Sequence, residues 1–211
     1  MKRQGDRYEG APERWARLHG GVERNLDDRS SWPAGPPPEL TDGRLLVRPW
    51  RSEDAAWLVT VCQDPEIQRW TRVPSPYTDD DAVRFVTELA PTAWQEGRGW
   101  HAAVTDAATG DGLGAVGIVP VPGLDGVAEI GYYAAAHRRR RGVVSGSVGL
   151  LVEWTWASTE LARLELHVDP RNRASAAVAV RCGFTLDGVL VDRGVHRGER
   201  HDVALYSLLR P

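Results

Sequence analysis

The chain has 211 residues, 42% hydrophobic and 26% charged, with a formal net charge of −3 at pH 7, so it has room for one domain with a buried core and a tail. The weakly acidic balance, with no signal-like or membrane-length apolar run, argues against nucleic-acid and membrane partners and favours a cytoplasmic protein. Cys62 and Cys182 lie far apart without metal-ligand spacing, so we expect reduced thiols and no metal site.

Residues 1–40 predict a charged, proline-rich N-terminal tail or linker, and residues 41–211 predict the folded domain. The tail ends in the segment Trp32–Pro38, whose prolines break helices and favour extended geometry. Residues 13–18 fit a short amphipathic helix. That helix would dock on the domain or on a second copy, which leaves a homodimer open.

The first half of the domain predicts a strand followed by two helices. The strand covers residues 44–50, and a helix runs from 52 to 62 behind cap and acidic first-turn residues. A second helix runs from 78 to 96, with a kink at Pro91. An aromatic and proline-rich loop, residues 70–77, lies between the two helices.

The second half of the domain predicts more strands than helices. Three strands near 100–105, 113–121 and 127–134 are separated by Gly-Asp turns, which indicates an antiparallel meander. The remaining predicted elements are a helix to about residue 160, a strand over 164–169, a helix over 172–182 and strands over 184–191 and 203–209.

An arginine-glycine turn, His137–Ser145, lies where the third meander strand ends and the next helix begins. Free amides at a helix start, reinforced by the helix dipole, bind phosphate oxygens. Gly142 lets the backbone approach an anion, and the four arginines Arg138–Arg141 add charge-assisted contacts. The turn therefore predicts a phosphate site, and a solvated charged surface is the alternative interpretation.

The order of elements over residues 43–211 resembles the GNAT superfamily of acyl-CoA N-acyltransferases. Arg139 and Gly142 match that family's pyrophosphate signature, while Val144 replaces its small final residue. Asn172 and Ser175, followed by Gly-Phe, are similar to the RimJ- and RimL-like branch of ribosomal-protein N-terminal acetyltransferases. The resemblance implies an α+β fold with a mostly antiparallel, splayed sheet of six to seven strands and about four helices.

The resemblance also implies acetyl-CoA, or another acyl-CoA, as the cofactor. Its diphosphate would lie on the helix start and its pantetheine arm beside the third meander strand, where a backbone N–H polarises the thioester carbonyl. The cofactor-binding residues expected from it are Tyr133, Ala134, Arg139, Arg140, Arg141, Gly142, Val143, Val144 and Asn172.

Three residues are candidates for the chemistry that the resemblance implies. Glu129, on the strand face that carries Gly131, is the first candidate for the base that deprotonates the amine, and His167 is the second. Ser175 is the candidate that protonates or positions the leaving thiol, because Ala179 stands where many relatives have a tyrosine. The alternative interpretations are an exposed strand glutamate for Glu129, a structural histidine for His167 and a helix first-turn residue for Ser175.

Aromatic side chains supply the expected acceptor pocket. Trp70, Tyr77 and Trp100 could hold an amine by stacking and cation–π contacts, with core packing as the alternative. The acceptor is expected to be a protein N-terminus or a small-molecule amine. The competing hypothesis from another class is a non-catalytic CoA-binding or interaction module with the same fold.

Overall fold

Eight strands form one sheet in residues 32–211, the part of the chain that the structure, a computed structural model, describes. In chain order they are β1 (Leu40–Thr41), β2 (Leu45–Pro49), β3 (Trp100–Asp106), β4 (Gly112–Pro120), β5 (Val127–Ala134), β6 (Arg163–Val168), β7 (Thr185–His196) and β8 (Glu199–Leu209). Their order across the sheet is β1-β2-β3-β4-β5-β6-β8-β7. Every neighbouring pair is antiparallel except β5 and β6. The predicted α+β class and splayed, mostly antiparallel sheet are confirmed, with eight strands instead of six or seven.

Helices cover both faces of this sheet. Within the described residues they are α1 (Ala55–Cys62), α2 (Pro65–Trp70), α3 (Asp79–Arg84), α4 (Ala90–Gln95), α5 (Val143–Ser158) and α6 (Arg173–Arg181). Short 3₁₀ turns cover Ser52–Asp54 and Ala136–Arg138. A π-helical segment, Phe85–Leu89, joins α3 to α4 just before Pro91, so the irregularity expected at the proline lies in the turn that precedes it.

Strand alternation divides the core into two layers. On β3, Ala102 faces the layer beneath α5, while Ala103 faces the layer beneath α1 to α4. Val148 and Leu151 of α5 are fully buried in the first layer. The sheet is therefore held between a long helix on one face and a group of short helices on the other.

The segment Trp32–Pro38, expected to belong to a tail or linker, packs on the domain instead. Trp32 is 9% exposed and meets Trp94 and Trp154 edge-to-face, with ring centroids 5.7 and 6.0 Å apart. The Trp94 indole N–H also donates to the carbonyl of Gly35 at 2.7 Å. The boundary expected between tail and domain at residue 40 therefore lies too far along the chain, because the buried indole of Trp32 already belongs to the folded domain. The helix expected over residues 13–18 lies outside the described residues.

Candidate active site

The sheet opens between β5 and β6. These strands pair at three positions only, from Val127 opposite Arg163 to Glu129 opposite Glu165. Beyond that point β5 continues along β4 and β6 continues along β8. We call the space between the two diverging strands the notch, and it is the splayed region that the sequence resemblance implied.

The backbone of β5 presents polar groups to the notch. The N–H of Ala135 donates to the carbonyl of Leu113 on β4 at 2.9 Å, so alternation directs the peptide groups of Tyr132 and Ala134 toward the opposite edge of β5. The side chain of Tyr133 lies on the α1 side, where its hydroxyl is 3.8 Å from the Cys62 sulfur. Ala134 can therefore offer its amide to an extended ligand, whereas the amide of Tyr133 is directed at β4.

Helix α5 begins beside the notch with a set of amides that have no protein acceptor. Gly142 is its N-cap residue and is left-handed, with φ +74° and ψ 10°. Among residues 32–211 the six amides from Arg140 to Ser145 have no hydrogen-bond acceptor, and the first bonded amide is that of Gly146, which donates to the Gly142 carbonyl at 2.9 Å. A Cβ on Gly142 would meet no atom nearer than the Arg44 guanidinium, at 3.7 Å. This open helix start fits a phosphate group.

The arginines of the turn have different partners. Arg139 pairs with Asp64 at 2.5 Å, and Arg44 donates to the carbonyls of Arg141 and Gly142 at 3.2 and 3.5 Å. Burial opposes ionisation of Asp64, but hydrogen bonds from Arg139 and from a backbone amide outweigh it and hold the pKa of this carboxyl below its ordinary value. Arg140 is exposed and pairs with no carboxylate in the described part of the chain. Arg44 therefore holds the carbonyls of Arg141 and Gly142, while the exposed guanidinium groups of Arg140 and Arg141 stay available to an anion.

A small group of ionisable side chains lies where β5 and β6 part. His167 Nε2 is 2.9 Å from a Glu165 oxygen, and His167 Nδ1 is 3.4 Å from a Glu129 oxygen. The side chain of Glu165 is 6% exposed, against 24% for Glu129 and 30% for His167. The structure therefore brings the two candidate bases, Glu129 and His167, together, and of the three side chains only these two can be reached from solvent.

A network of hydrogen bonds and ion pairs, from Arg163 to Asp187, fixes the position of Glu165. Arg163 donates to the second oxygen of Glu165 at 2.7 Å and also pairs with Asp187. Asp187 in turn accepts a hydrogen bond from Ser207 at 2.9 Å. Hydrogen bonds from Arg163 and then Ser207 lower the pKa of Asp187. Both carboxylate oxygens of Glu165 are therefore engaged, one by Arg163 and the other by His167.

The start of α6 supplies the third candidate. Asn172 caps this helix, because its side-chain oxygen accepts from the Ser175 N–H at 3.0 Å. The Ser175 hydroxyl lies 2.8 Å from the hydroxyl of Tyr132, which also lies 3.3 Å from the Ser175 carbonyl. Burial raises the pKa of Tyr132 to about 12, a shift that the Ser175 hydrogen bond partly offsets. Only the amide nitrogen of Asn172 remains for the pantetheine arm expected there.

The three expected acceptor aromatics do not form one pocket. Trp100 is 1% exposed and meets Trp154 edge-to-face at 5.2 Å in the layer beneath α5, so placing it in a pocket was wrong. Tyr77 is 6% exposed and packs beneath α1, which also corrects its assignment as a lining residue. Trp70 is half-buried at the end of α2, where its indole N–H donates to Glu66 at 2.9 Å.

The hairpin of β7 and β8 contacts α2, the helix that ends at Trp70. Its turn reaches α2, where the carbonyl of Gln68 lies 3.2 Å from His196 and accepts from the Arg197 guanidinium at 3.1 Å. Next to Glu129, Gly131 is exposed, and no described atom lies within 4 Å of where its Cβ would stand. Open space therefore remains beside the two reachable ionisable side chains.

Comparison with known proteins identifies the family. The profile of the family described as "Acetyltransferase (GNAT) domain" matches residues 44–185. The chain belongs to the GNAT acetyltransferase family. A curated relative, "Uncharacterized N-acetyltransferase p20" of Bacillus licheniformis, is 28% identical over 167 residues, which are 79% of this chain and 93% of the relative.

Solved structures of GNAT proteins share the fold. Mycobacterium smegmatis RimJ, solved with a CoA disulfide, gives a TM-score of 0.70 at 22% identity and covers 84% of this chain and 88% of its own. The microcin C7 self-immunity acetyltransferase MccE, solved with acetyl-CoA and AMP, gives 0.72 at 23% identity and covers 80% and 93%. The resemblance to the RimJ- and RimL-like branch is thereby confirmed at the level of the fold.

Two structural properties bear on the GNAT site. Over residues 32–211, no helix is both long enough and apolar enough to cross a bilayer. The same residues contain no group of three or more His, Cys, Asp or Glu side chains placed to hold a metal ion.

Two residues of the site were given no role by the sequence. Glu165 shares a strand face with His167, and this alternation was the available signal for their contact. Tyr132 has no such signal, because it meets Ser175 across 43 positions of sequence and two different elements. Only the packing of α6 against β5 brings those hydroxyls together.

Proposed function

We propose that this protein transfers an acetyl or other short acyl group from acyl-CoA to a primary amine. The observation that carries the proposal is the set of six unbonded amides at the start of α5, which open beside the notch. An anion-binding helix start next to a strand with a free edge suits a long ligand with a diphosphate at one end and an extended arm at the other. Family membership supports the same reaction.

The residues present fit acyl-CoA. The diphosphate would be held by the amides from Arg140 to Ser145 and by the exposed guanidinium groups of Arg140 and Arg141. The pantetheine arm would pair with the free edge of β5 at Tyr132 and Ala134. When bound, the cofactor supplies the acyl group in activated form, as a thioester.

Glu129 and His167 form the proton-accepting end of the site. Primary amines are mostly protonated at neutral pH, so attack requires a base. A donated hydrogen bond from His167 Nε2 to Glu165 leaves the Nδ1 lone pair directed at Glu129, 3.4 Å away. Glu129 then takes the amine proton first, and His167 receives it in a second step.

The open space beside Glu129 indicates what kind of acceptor the site can admit. Space beside Gly131, where no described atom lies within 4 Å of the Cβ position, admits an amine carried on a flexible chain. The RimJ- and RimL-like resemblance favours a protein N-terminus, and the AMP bound in the structure of the microcin enzyme makes a small molecule the alternative. We propose the N-terminal amine of a protein as the first acceptor to test.

The test measures thiol release from acetyl-CoA with a panel of amines. It includes peptides with a free N-terminus, the same peptides N-acetylated, polyamines and amino acids. We expect release with free amines only, and a loss of roughly 100-fold in kcat for Glu129→Gln with unchanged CoA affinity. Tight CoA binding without release for any amine would support the non-catalytic module instead.

A further inference from the structure

The hydroxyl pair of Tyr132 and Ser175 lies at the side of the notch opposite the proton-accepting group. Tyr132 belongs to the β5 edge that faces the notch, and Ser175 belongs to the first turn of α6. Their oxygens are 2.8 Å apart, and both residues are partly exposed. Ala179, one turn further along α6, is fully buried and offers no hydroxyl. The pair therefore supplies two hydroxyl groups on this side of the described site.

The contact lengths favour one direction for the hydrogen bond between them, because the Tyr132 oxygen lies 2.8 Å from the Ser175 hydroxyl but 3.3 Å from the Ser175 carbonyl. Burial raises the pKa of Tyr132 to about 12, so its phenol keeps the proton that it donates at neutral pH. The Ser175 hydroxyl makes no hydrogen bond to a carbonyl of its own helix within residues 32–211, unlike Thr155, which donates to Leu151 at 2.7 Å. When Tyr132 donates to Ser175, the Ser175 hydrogen is left for a group in the notch.

We propose that Tyr132 is a positioning residue that holds the Ser175 hydroxyl ready to donate to the departing sulfur. The inference rests on the proposed transferase function. As the amine adds, the carbon–sulfur bond breaks and its electron pair stays on sulfur, which accepts a hydrogen bond from Ser175. The proton lost by the amine goes to Glu129, and solvent protonates the released thiolate. Ser175 and Tyr132 keep their protons throughout.

The proton affinities of the groups decide against a direct transfer from the tyrosine. An alkyl thiol has a pKa of about 8.5, so a thiolate cannot take a proton efficiently from a phenol as weakly acidic as Tyr132. A hydrogen bond to a charged atom is nevertheless stronger than one to a neutral atom. The pair therefore stabilises the thiolate as it forms, and Tyr132 acts only through Ser175.

A double-mutant cycle tests this dependence. Tyr132→Phe, Ser175→Ala and the double variant are compared with the unaltered protein for kcat, KM and CoA affinity by calorimetry. We expect Ser175→Ala to lower kcat about tenfold or more, and Tyr132→Phe to lower it by a smaller factor, with CoA affinity unchanged. The double variant should be no slower than Ser175→Ala alone. Tyr206→Phe, which removes the hydroxyl of a neighbouring buried tyrosine on β8, is the matched control and should keep its kcat.

Each result bears on one hypothesis. An unaltered kcat in Tyr132→Phe would overturn the inference, as would losses that simply multiply in the double variant. A fall in CoA affinity or melting temperature that accounts for the lost rate would also overturn it, because the hydroxyl would then be structural. Failure of the unaltered protein to release thiol with any amine would refute the proposed function itself.

Discussion

The start of α5 offers the sharpest test of the cofactor site. Gly142→Glu places a carboxylate among the unbonded amides of Arg140 to Ser145, where the diphosphate is proposed to lie. Gly142→Gln places a neutral side chain of nearly the same size at the same point. Both variants carry the same backbone cost, because φ is +74° at this residue. Their difference therefore isolates the charge.

The two contributions can be estimated separately. A side chain in the left-handed region costs about 1–2 kcal/mol, so both variants should melt roughly 2–8 °C lower. Crowding adds little, because the nearest atom to the Cβ position is Arg44 Nη2 at 3.7 Å. One carboxylate about 6 Å from one phosphate charge costs about 3 kcal/mol at an effective dielectric constant of about 20. That is roughly 100-fold in Kd at low salt, and screening reduces it to roughly tenfold at physiological salt.

Calorimetry with CoA measures the effect. We expect Gly142→Glu to bind CoA more weakly than Gly142→Gln, with a ratio that shrinks as salt rises from about 0.02 to about 0.3 M. Equal melting temperatures of the two variants serve as the internal control. Equal CoA affinities at low salt would refute the placement of the diphosphate on this helix start.

Three further predictions address packing, orientation and thiol chemistry. Trp32→Ala should lower the free energy of unfolding in urea by about 3–5 kcal/mol, whereas Trp70→Ala, at a half-buried site, should cost clearly less. Glu165→Gln should lower kcat without changing CoA affinity, because His167 loses its charged partner; an unchanged kcat would contradict this. Burial raises the pKa of Cys62 from 9.0 to about 11, so iodoacetamide at pH 8 should leave it unmodified by mass spectrometry until the protein is unfolded. Because the unfolded chain releases this proton first, stability should fall as pH rises from about 9 to about 11.

Local patterns predicted most of the sheet. The three meander strands follow from alternation and Gly-Asp turns, and the structure has them over Trp100–Asp106, Gly112–Pro120 and Val127–Ala134. The last hairpin was predicted too short. β7 and β8 continue to the two-residue turn Arg197-Gly198, where both φ angles are positive, at 50° and 85°. Such turns are usually marked by Asn-Gly or Asp-Gly, so a polar run ending in Arg-Gly gave no clear hairpin signal.

Contacts between distant elements were beyond the same reasoning. A proline-rich segment favours extended geometry, but nothing local shows that its indole, Trp32, fills a gap beside Trp94 and Trp154. The prediction that aromatic side chains line an acceptor pocket was wrong for a related reason. Exposure of a tryptophan depends on which sheet face is covered, and α5 covers the face that carries Trp100. Residue type alone could not separate a lining side chain from a core one.

Val144 stands where the diphosphate signature of the family has a small residue, and its position in the structure decides whether this difference matters. A β-branched residue in the diphosphate signature would matter if its side chain faced the anion. Val144 instead packs against the core layer beneath α5, and Val143 before it is 4% exposed. The signature presents backbone amides, and these point outward whatever the side chain beneath them. The departure at Val144 therefore alters packing under the helix start and leaves the proposed anion contacts intact.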